Sequence, residues 1–406
     1  MIGKFLKFKD HEDVRYLLLH GKYKLMSSGV TIFLGFILSW YLANNTSKEF
    51  FGNYLFVISI FSMFALFSFP GFKDAITQSV ARGYDYSLVQ GFWKKTTYSL
   101  VGSLAFMLVA THYYLLKNDA ILAIVFFVSA IVFPFYYSLE IFVSFLNAKK
   151  RFKTEAFYST SVVLAKVILM VLSVIIFNEN LILLFVVFFL SQMFPNLYYY
   201  VKCSKEVKSI RKDDDLAGYA KFLTWIKIIV HISSEINHVI IGVFIGPLAL
   251  AQYFTGTMFV KRVVDLIKPM TSVFYPKLSD GSMKLTKKKL LLIIIASIVI
   301  CLMVITILPL FIKILFPKYI DSIKYGLLFS LTLLFQPTIA ILQFYFRALK
   351  KTRIMRNVTL IENASRLIVI VPLFLFFQIY GLISSVIITH FIGASIRTYY
   401  FLKKES

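Results

Sequence analysis

The chain has 406 residues, 59% of them hydrophobic, a mean hydropathy of +0.77 and a formal net charge of +24. Soluble domains hold about 45–50% apolar residues, so this composition excludes an ordinary soluble globular protein. The apolar residues come in blocks of roughly 18–27, the length of a bilayer-crossing helix. In lipid every backbone N–H and C=O must be paired internally, and a helix does that within one segment. The expected fold class is therefore an all-α polytopic membrane protein.

The first 24 residues are charged, and no small-residue cleavage site follows the first apolar run, so no cleavable signal peptide is expected. The segment from His11 to Lys24 alternates apolar and basic residues. Either an amphipathic helix on the inner surface or a solvated cap would read this way. About twelve spans follow, at 25–42, 54–71, 99–116, 121–146, 158–177, 181–201, 222–246, 249–275, 290–316, 325–346, 358–377 and 379–402. The seventh and eighth are the weakest because each carries several charges. The domain plan is a cytoplasmic segment 1–24, a six-helix bundle 25–201, a cytoplasmic linker 202–221 and a second six-helix bundle 222–402.

In a soluble protein the positive charge would point to nucleic acid. Here it follows the rule that Lys and Arg collect in cytoplasmic loops. With the N-terminus inside, the cytoplasmic segments hold thirty-two of the 44 basic residues, including Lys4, Lys7, Lys9, Arg15, Lys149–Lys150–Arg151 and Lys287–Lys288–Lys289. The outer loops hold Lys48, Lys117, Lys318 and Lys324. Both termini are expected in the cytoplasm, and no nucleic-acid partner is expected.

Two cysteines, Cys203 and Cys301, imply no disulfide framework. No G-x-x-x-x-G-K-[ST], H-E-x-x-H, C-x-x-C or G-x-S-x-G sequence occurs. The histidines form no convincing metal constellation. The outer loops are short, as "NEN" at 178–180 and "QIY" at 378–380 show. An enzyme working outside would need a larger loop to carry its site. A channel or secondary transporter fits best, and no enzymatic activity is expected.

The two halves repeat at an offset near 200. Ala148 matches Ala348, Lys150 matches Lys350, Arg151 matches Lys351, Lys166 matches Arg366 and Phe177 matches Phe377. At 199, Tyr54 matches Tyr253 and Pro70 matches Pro269. Six spans per half is an even number, so the second half enters with the orientation of the first. That makes a parallel repeat, whose halves typically face each other around a central cavity and rock to give alternating access.

Eight cations fall inside spans: Lys166, Lys227, Lys261, Arg262, Lys268, Lys313, Arg366 and Arg397. Four acids join them: Glu140, Glu235, Asp265 and Glu362. A charge at mid-bilayer costs roughly 2.5–3.5 kcal/mol on insertion scales. Lys313, Arg397, Lys227 and Lys268 lie near helix ends and are expected to snorkel. Lys166 sits eight residues from Tyr158, about 12 Å along the axis at 1.5 Å per residue. Arg366 sits equally deep from Val358. Both should face the bundle interior or a wet cavity. Arg366 has Glu362 one turn away as a possible partner, whereas Lys166 has no acid in its own span. Lys261, Asp265 and Lys268 share a face of helix eight, and Lys227, His231, Ser234, Glu235 and His238 form a stripe on helix seven. The histidines either hydrogen-bond neighbouring helices or relay protons. Paired central cations, one per half, suit an anionic ligand, and a diphosphate is apt because Lys and Arg both bind phosphate oxygens with charge-assisted hydrogen bonds.

Twelve spans in two parallel halves, no ATP site and a cationic interior resemble the multidrug/oligosaccharidyl-lipid/polysaccharide (MOP) superfamily, and within it the O-antigen flippases of the Wzx type. "SKEFFGNY" (47–54), "EINHVIIGVFIGPLALAQY" (235–253) and "FYPKLSDG" (274–281) carry the likeness. It covers nearly the whole chain, although the motifs are loose and topology carries most of the weight. One departure is Asn237, where the family often has an acid. The resemblance implies movement of undecaprenyl-diphosphate-linked oligosaccharide from the cytoplasmic to the periplasmic face of the bacterial inner membrane. It implies no cofactor, a driving proton or sodium gradient, and a glycan polymerase and chain-length regulator as further partners. On it, Lys166, Arg366, Lys261 and Arg262 contact the diphosphate or acidic sugar, and Glu140, Glu235, Asp265 and Glu362 are coupling-ion candidates. Three rivals remain: a multidrug and toxin extrusion (MATE) exporter, which should have an acidic cavity; a membrane-embedded glycan polymerase; and a non-transporting component of a glycan-assembly complex.

Overall fold

The computed structural model describes residues 12–208, 210–272, 278 and 285–405. Lys4, Lys7 and Lys9, most of the "FYPKLSDG" motif and the side chain of Lys268 lie outside what is described. Fourteen α-helices are described: α1 Glu12–Asn45, α2 Lys48–Phe64, α3 Gly71–Ala81, α4 Ser87–Leu115, α5 Ala120–Tyr136, α6 Phe142–Ala148 and α7 Phe152–Phe177 come first. They are followed by α8 Leu181–Ser204, α9 Leu216–Phe244, α10 Pro247–Ser272, α11 Lys287–Leu315, α12 Ile323–Ser330, α13 Gln336–Ala348 and α14 Thr352–Glu405. From Glu12 the chain runs unbroken into the first span as the 34 residues of α1.

Among the described residues, ten helices are long and apolar enough to cross a membrane. The last of these, Thr352–Lys403, is interrupted at Gln378, whose φ of 47° and ψ of −123° break the ladder, so it counts as two spans. Helix α10 has spanning length at 26 residues but carries Lys261, Arg262, Asp265 and Lys268. With these, the element order reproduces the twelve expected spans.

The duplication is written in the backbone. Lys150 and Lys350 both adopt positive φ, 59° and 54°, and so do Asn178 and Gln378, 52° and 47°. Around each lysine the same pair of hydrogen bonds closes a helix: Lys150 N–H to Asn147 O and Arg151 N–H to Leu146 O, Lys350 N–H to Arg347 O and Lys351 N–H to Phe346 O. This is the Schellman ending, with lysine at the left-handed position usually given to glycine.

By contact the chain separates into two compact units. One contains the residues up to Thr46 and Ile60–Ile228; the other contains Ser47–Ser59 and the residues from Ile229 on. The boundaries fall inside two continuous helices, α2 and α9, rather than in the 202–221 linker. The reason is local packing in the first unit. Leu216 and Ala220 of α9 join its core beside Phe72, Ile76 and Leu88. Asp213 accepts from Ser79 Oγ at 2.5 Å and bonds the Gln90 side chain through its own backbone. The linker is thereby docked.

The first unit's membrane core is aromatic. Phe61 packs within 4.9–5.6 Å of the rings of Phe106, Phe133, Tyr136, Tyr137 and Phe189. Gly102 on α4 leaves room for the Phe133 ring. The second unit uses glycine for close helix approach: a Cβ on Gly326 of α12 would lie 2.5 Å from the Gly256 carbonyl oxygen of α10. Small residues permit this packing in lipid, where apolar contact gives no preference for protein over acyl chain.

Candidate functional site

Each unit holds a cluster of charges built from residues far apart in sequence. In the first unit the cluster forms around a broken span. Helix α5 contains Pro134 and ends at Tyr136; a 3-10 turn over Leu139–Ile141 precedes α6. The break places Glu140 inside the span and frees the Tyr137 carbonyl, which accepts from Lys95 Nζ of α4 at 2.7 Å. Lys95 is 1% exposed. It lies inside a helix because α4 begins at Ser87, twelve residues before the expected start.

Both carboxylate oxygens of Glu140 are engaged. Oε2 accepts from Lys73 Nζ of α3 at 2.6 Å, and Oε1 accepts from Gln192 Nε2 of α8 at 2.8 Å. The Gln192 Oε1 in turn accepts from Tyr136 OH at 2.6 Å and from Lys166 Nζ of α7 at 3.1 Å. Lys166 also lies 4.8 Å from the centre of the Phe188 ring, a cation–π contact that partly replaces hydration. The expected inward orientation of Lys166 is observed. Its connection to an acid runs across helices, through Gln192 to Glu140. Three cations thus surround one carboxylate. Lys73, Lys95 and Gln192 escaped the sequence reading, since Lys73 and Lys95 fall in what reads as a loop and a single Gln carries no signal of its own.

In the second unit, Lys261 Nζ of α10 lies 3.1 Å from His238 Nε2 of α9 and faces the rings of Tyr253 and Phe329 at 5.5 and 5.9 Å. His238 Nδ1 is 3.8 Å from Glu235 Oε2. Arg366 of α14 donates to Ser233 Oγ at 3.2 Å, and its buried Nε has no hydrogen-bond partner. Arg262 pairs with Asp265 at 3.5 Å. The expected stripe on α9 divides: Glu235 and His238 join Lys261, Ser234 is exposed, and Lys227 pairs with Asp74 at 2.5 Å in the first unit. Asn237 is buried and donates to Tyr253 OH at 3.1 Å and to the Leu382 carbonyl at 3.4 Å, so the residue at the departure from the family pattern ties α9 to α10 and α14.

Of the two readings left open for Arg366, pairing with Glu362 one turn away is not observed; Glu362 pairs with Arg397 at 2.8 Å. One expectation is corrected: Arg397 does not snorkel, for it is 6% exposed. Gly393 lies against both side chains, and its missing Cβ leaves them room.

The fold resembles that of several solved membrane transporters. It is similar to the lipid II flippase MurJ in an inward-closed conformation, at 14% identity and TM-score 0.68, over 95% of this chain and 87% of that one. It is similar to an inward-facing multidrug resistance MATE transporter of the MOP superfamily, at 10% identity and TM-score 0.65, over 92% and 94%. The eukaryotic MATE transporter AtDTX14 gives 14% identity and TM-score 0.63, over 95% and 96%. Residues 21–282 match the polysaccharide biosynthesis protein family, and the chain belongs to that family. No curated protein matches it.

Proposed function

We propose that this chain is a Wzx-type flippase, which carries undecaprenyl-diphosphate-linked oligosaccharide, an O-antigen or similar surface-glycan unit, across the bacterial inner membrane by alternating access. Its termini are cytoplasmic, and a glycan polymerase and chain-length regulator are its expected partners. The observation that carries this reading is the pair of repeat-related cations: Lys166 and Arg366 occupy matching positions, and among the described residues neither forms a direct ion pair. A cation held without a direct ion pair is costly in lipid and suits a transient anionic ligand such as diphosphate. A transporter of cationic drugs would need the opposite sign at these positions. Lys261 and Arg262 complete the cationic surface of the second unit.

Coupling to a proton or sodium gradient needs a carboxylate that can give up its partner. Glu140, Asp265 and Glu362 each face a Lys or Arg. Glu235 lies 3.8 Å from a histidine and makes no Lys or Arg ion pair among the described residues, so Glu235 is the leading coupling residue.

The test is complementation by Lys166→Gln, Arg366→Gln and the double variant, each checked for normal insertion. Loss of surface polymer with lipid-linked glycan accumulating on the inner face is the expected result. Normal polymer from the well-inserted double variant would refute the reading.

A further inference from the structure

The first unit's cluster has more cation than it needs for its one acid. Lys73, Lys95 and Lys166 are grouped with Glu140, a formal excess of two positive charges. The three lysines are not equivalent. Lys95 is 1% exposed and committed to the Tyr137 carbonyl at 2.7 Å, so it is not free to meet a ligand. Lys73 is accessible, with 44% of its side chain exposed, and the Glu140 side chain is 20% exposed. Their contact can open to a ligand. Lys166 rests on the Phe188 ring and hydrogen-bonds Gln192, whose amide bridges to the same carboxylate.

We propose that Glu140 is an internal counter-anion that masks Lys73 and Lys166, and thereby restricts this site to multivalent, diphosphate-like anions. The inference rests on the anion-carrying function proposed above and adds the residue that sets its selectivity. Cytoplasm is rich in small monoanions, and an open cluster of three lysines would fill with them. A carboxylate tethered in the same fold competes at a high effective concentration. A monoanion offers Lys73 no more charge than Glu140 already does, so it gains nothing by displacing the carboxylate. A diphosphate diester carries two charges, matches that formal excess, and can replace the carboxylate at Lys73 while also reaching Lys166. Discrimination comes from a competing contact built into the protein. Gln192 is the positioning residue: it donates to Glu140 and accepts from Lys166, so displacement of one releases the other.

The probes are P1,P2-dimethyl diphosphate and dimethyl phosphate, a dianion and a monoanion whose charges do not titrate near neutral pH. Binding of each to the full-length protein in nanodiscs is measured by calorimetry at fixed ionic strength. The wild type should prefer the diphosphate at least tenfold. Glu140→Gln should strengthen dimethyl phosphate binding at least tenfold and shrink that preference. Glu140→Asp, one methylene shorter, cannot span Lys73 and Gln192 together and should give a smaller change in the same direction; it also decides the matter if the Gln variant does not fold. Lys166→Gln should abolish diphosphate binding. An unchanged preference in the Glu140 variants, with diphosphate binding still dependent on Lys166, overturns this inference and leaves the anion site standing. No diphosphate binding by the wild type, or binding indifferent to Lys166, overturns the anion site and this inference with it.

Discussion

The Glu362–Arg397 pair offers a measurement that separates architecture from ion coupling. The two side chains are 12% and 7% exposed and lie 2.8 Å apart, and Arg397 Nη1 also donates to the Gly393 carbonyl at 2.9 Å. Removing one charge leaves the other buried and unpaired, which costs about 3–5 kcal/mol. Removing both and filling the volume with apolar groups is often neutral or stabilising. Glu362→Gln is therefore expected to destabilise the protein by about 3–5 kcal/mol, and Glu362→Leu/Arg397→Met to restore stability to within about 1 kcal/mol of wild type. Reversible unfolding in mixed micelles supplies the free energies, and the full set of single and double variants gives the coupling energy between the sites. The same variants then go into the polymer assay. A stable double variant that still exports glycan makes Glu362 a structural residue. A single variant costing under about 1 kcal/mol, or a double variant worse than either single, would refute the buried-pair account.

Two further outcomes follow from the backbone and the packing. Lys150→Gly and Lys350→Gly relieve a left-handed conformation that costs a side-chain-bearing residue about 1 kcal/mol, so each should leave thermal stability unchanged or slightly raised, while substitution of either by Val should lower it. Gly102→Ala adds a Cβ that would overlap three atoms of the Phe133 ring. That ring is boxed in by Phe61, Phe106 and Tyr137, so overpacking of about 1–3 kcal/mol should exceed the gain in helix propensity of about 1 kcal/mol. Net loss of stability on unfolding is the result expected, and a stabilised variant would contradict it.

Much of the architecture was legible in one dimension. A spanning helix satisfies its own backbone, so composition along a single segment is enough to find it. The duplication was legible too, because matched residues keep their offset; Lys150 with Lys350, and Asn178 with Gln378, then proved to share a backbone conformation as well as a position. The depth of Lys166 and Arg366 could be counted from their helix ends. The weak spans were those whose apolar pattern is interrupted by charge: α9 and α10 carry Glu235, His238, Lys261 and Arg262, which lowers their hydropathy.

The sequence by itself determined that this is a polytopic helical membrane protein, that it is built of two like halves, and that each half keeps a cation at mid-membrane depth. Those properties are sums over contiguous residues or fixed offsets. The tertiary structure alone decided which charges meet. Lys166 reaches Glu140 through Gln192, Lys73 and Lys95 enter the same cluster from helices that read as loops, and Glu362 turns to Arg397 instead of Arg366. The physical reason is that a buried charge takes whatever partner the packing of neighbouring helices brings within about 3 Å. Helix periodicity fixes which face a residue lies on, but the rotation and register of one helix against the next depend on glycine contacts, aromatic packing and a proline break contributed by the whole fold.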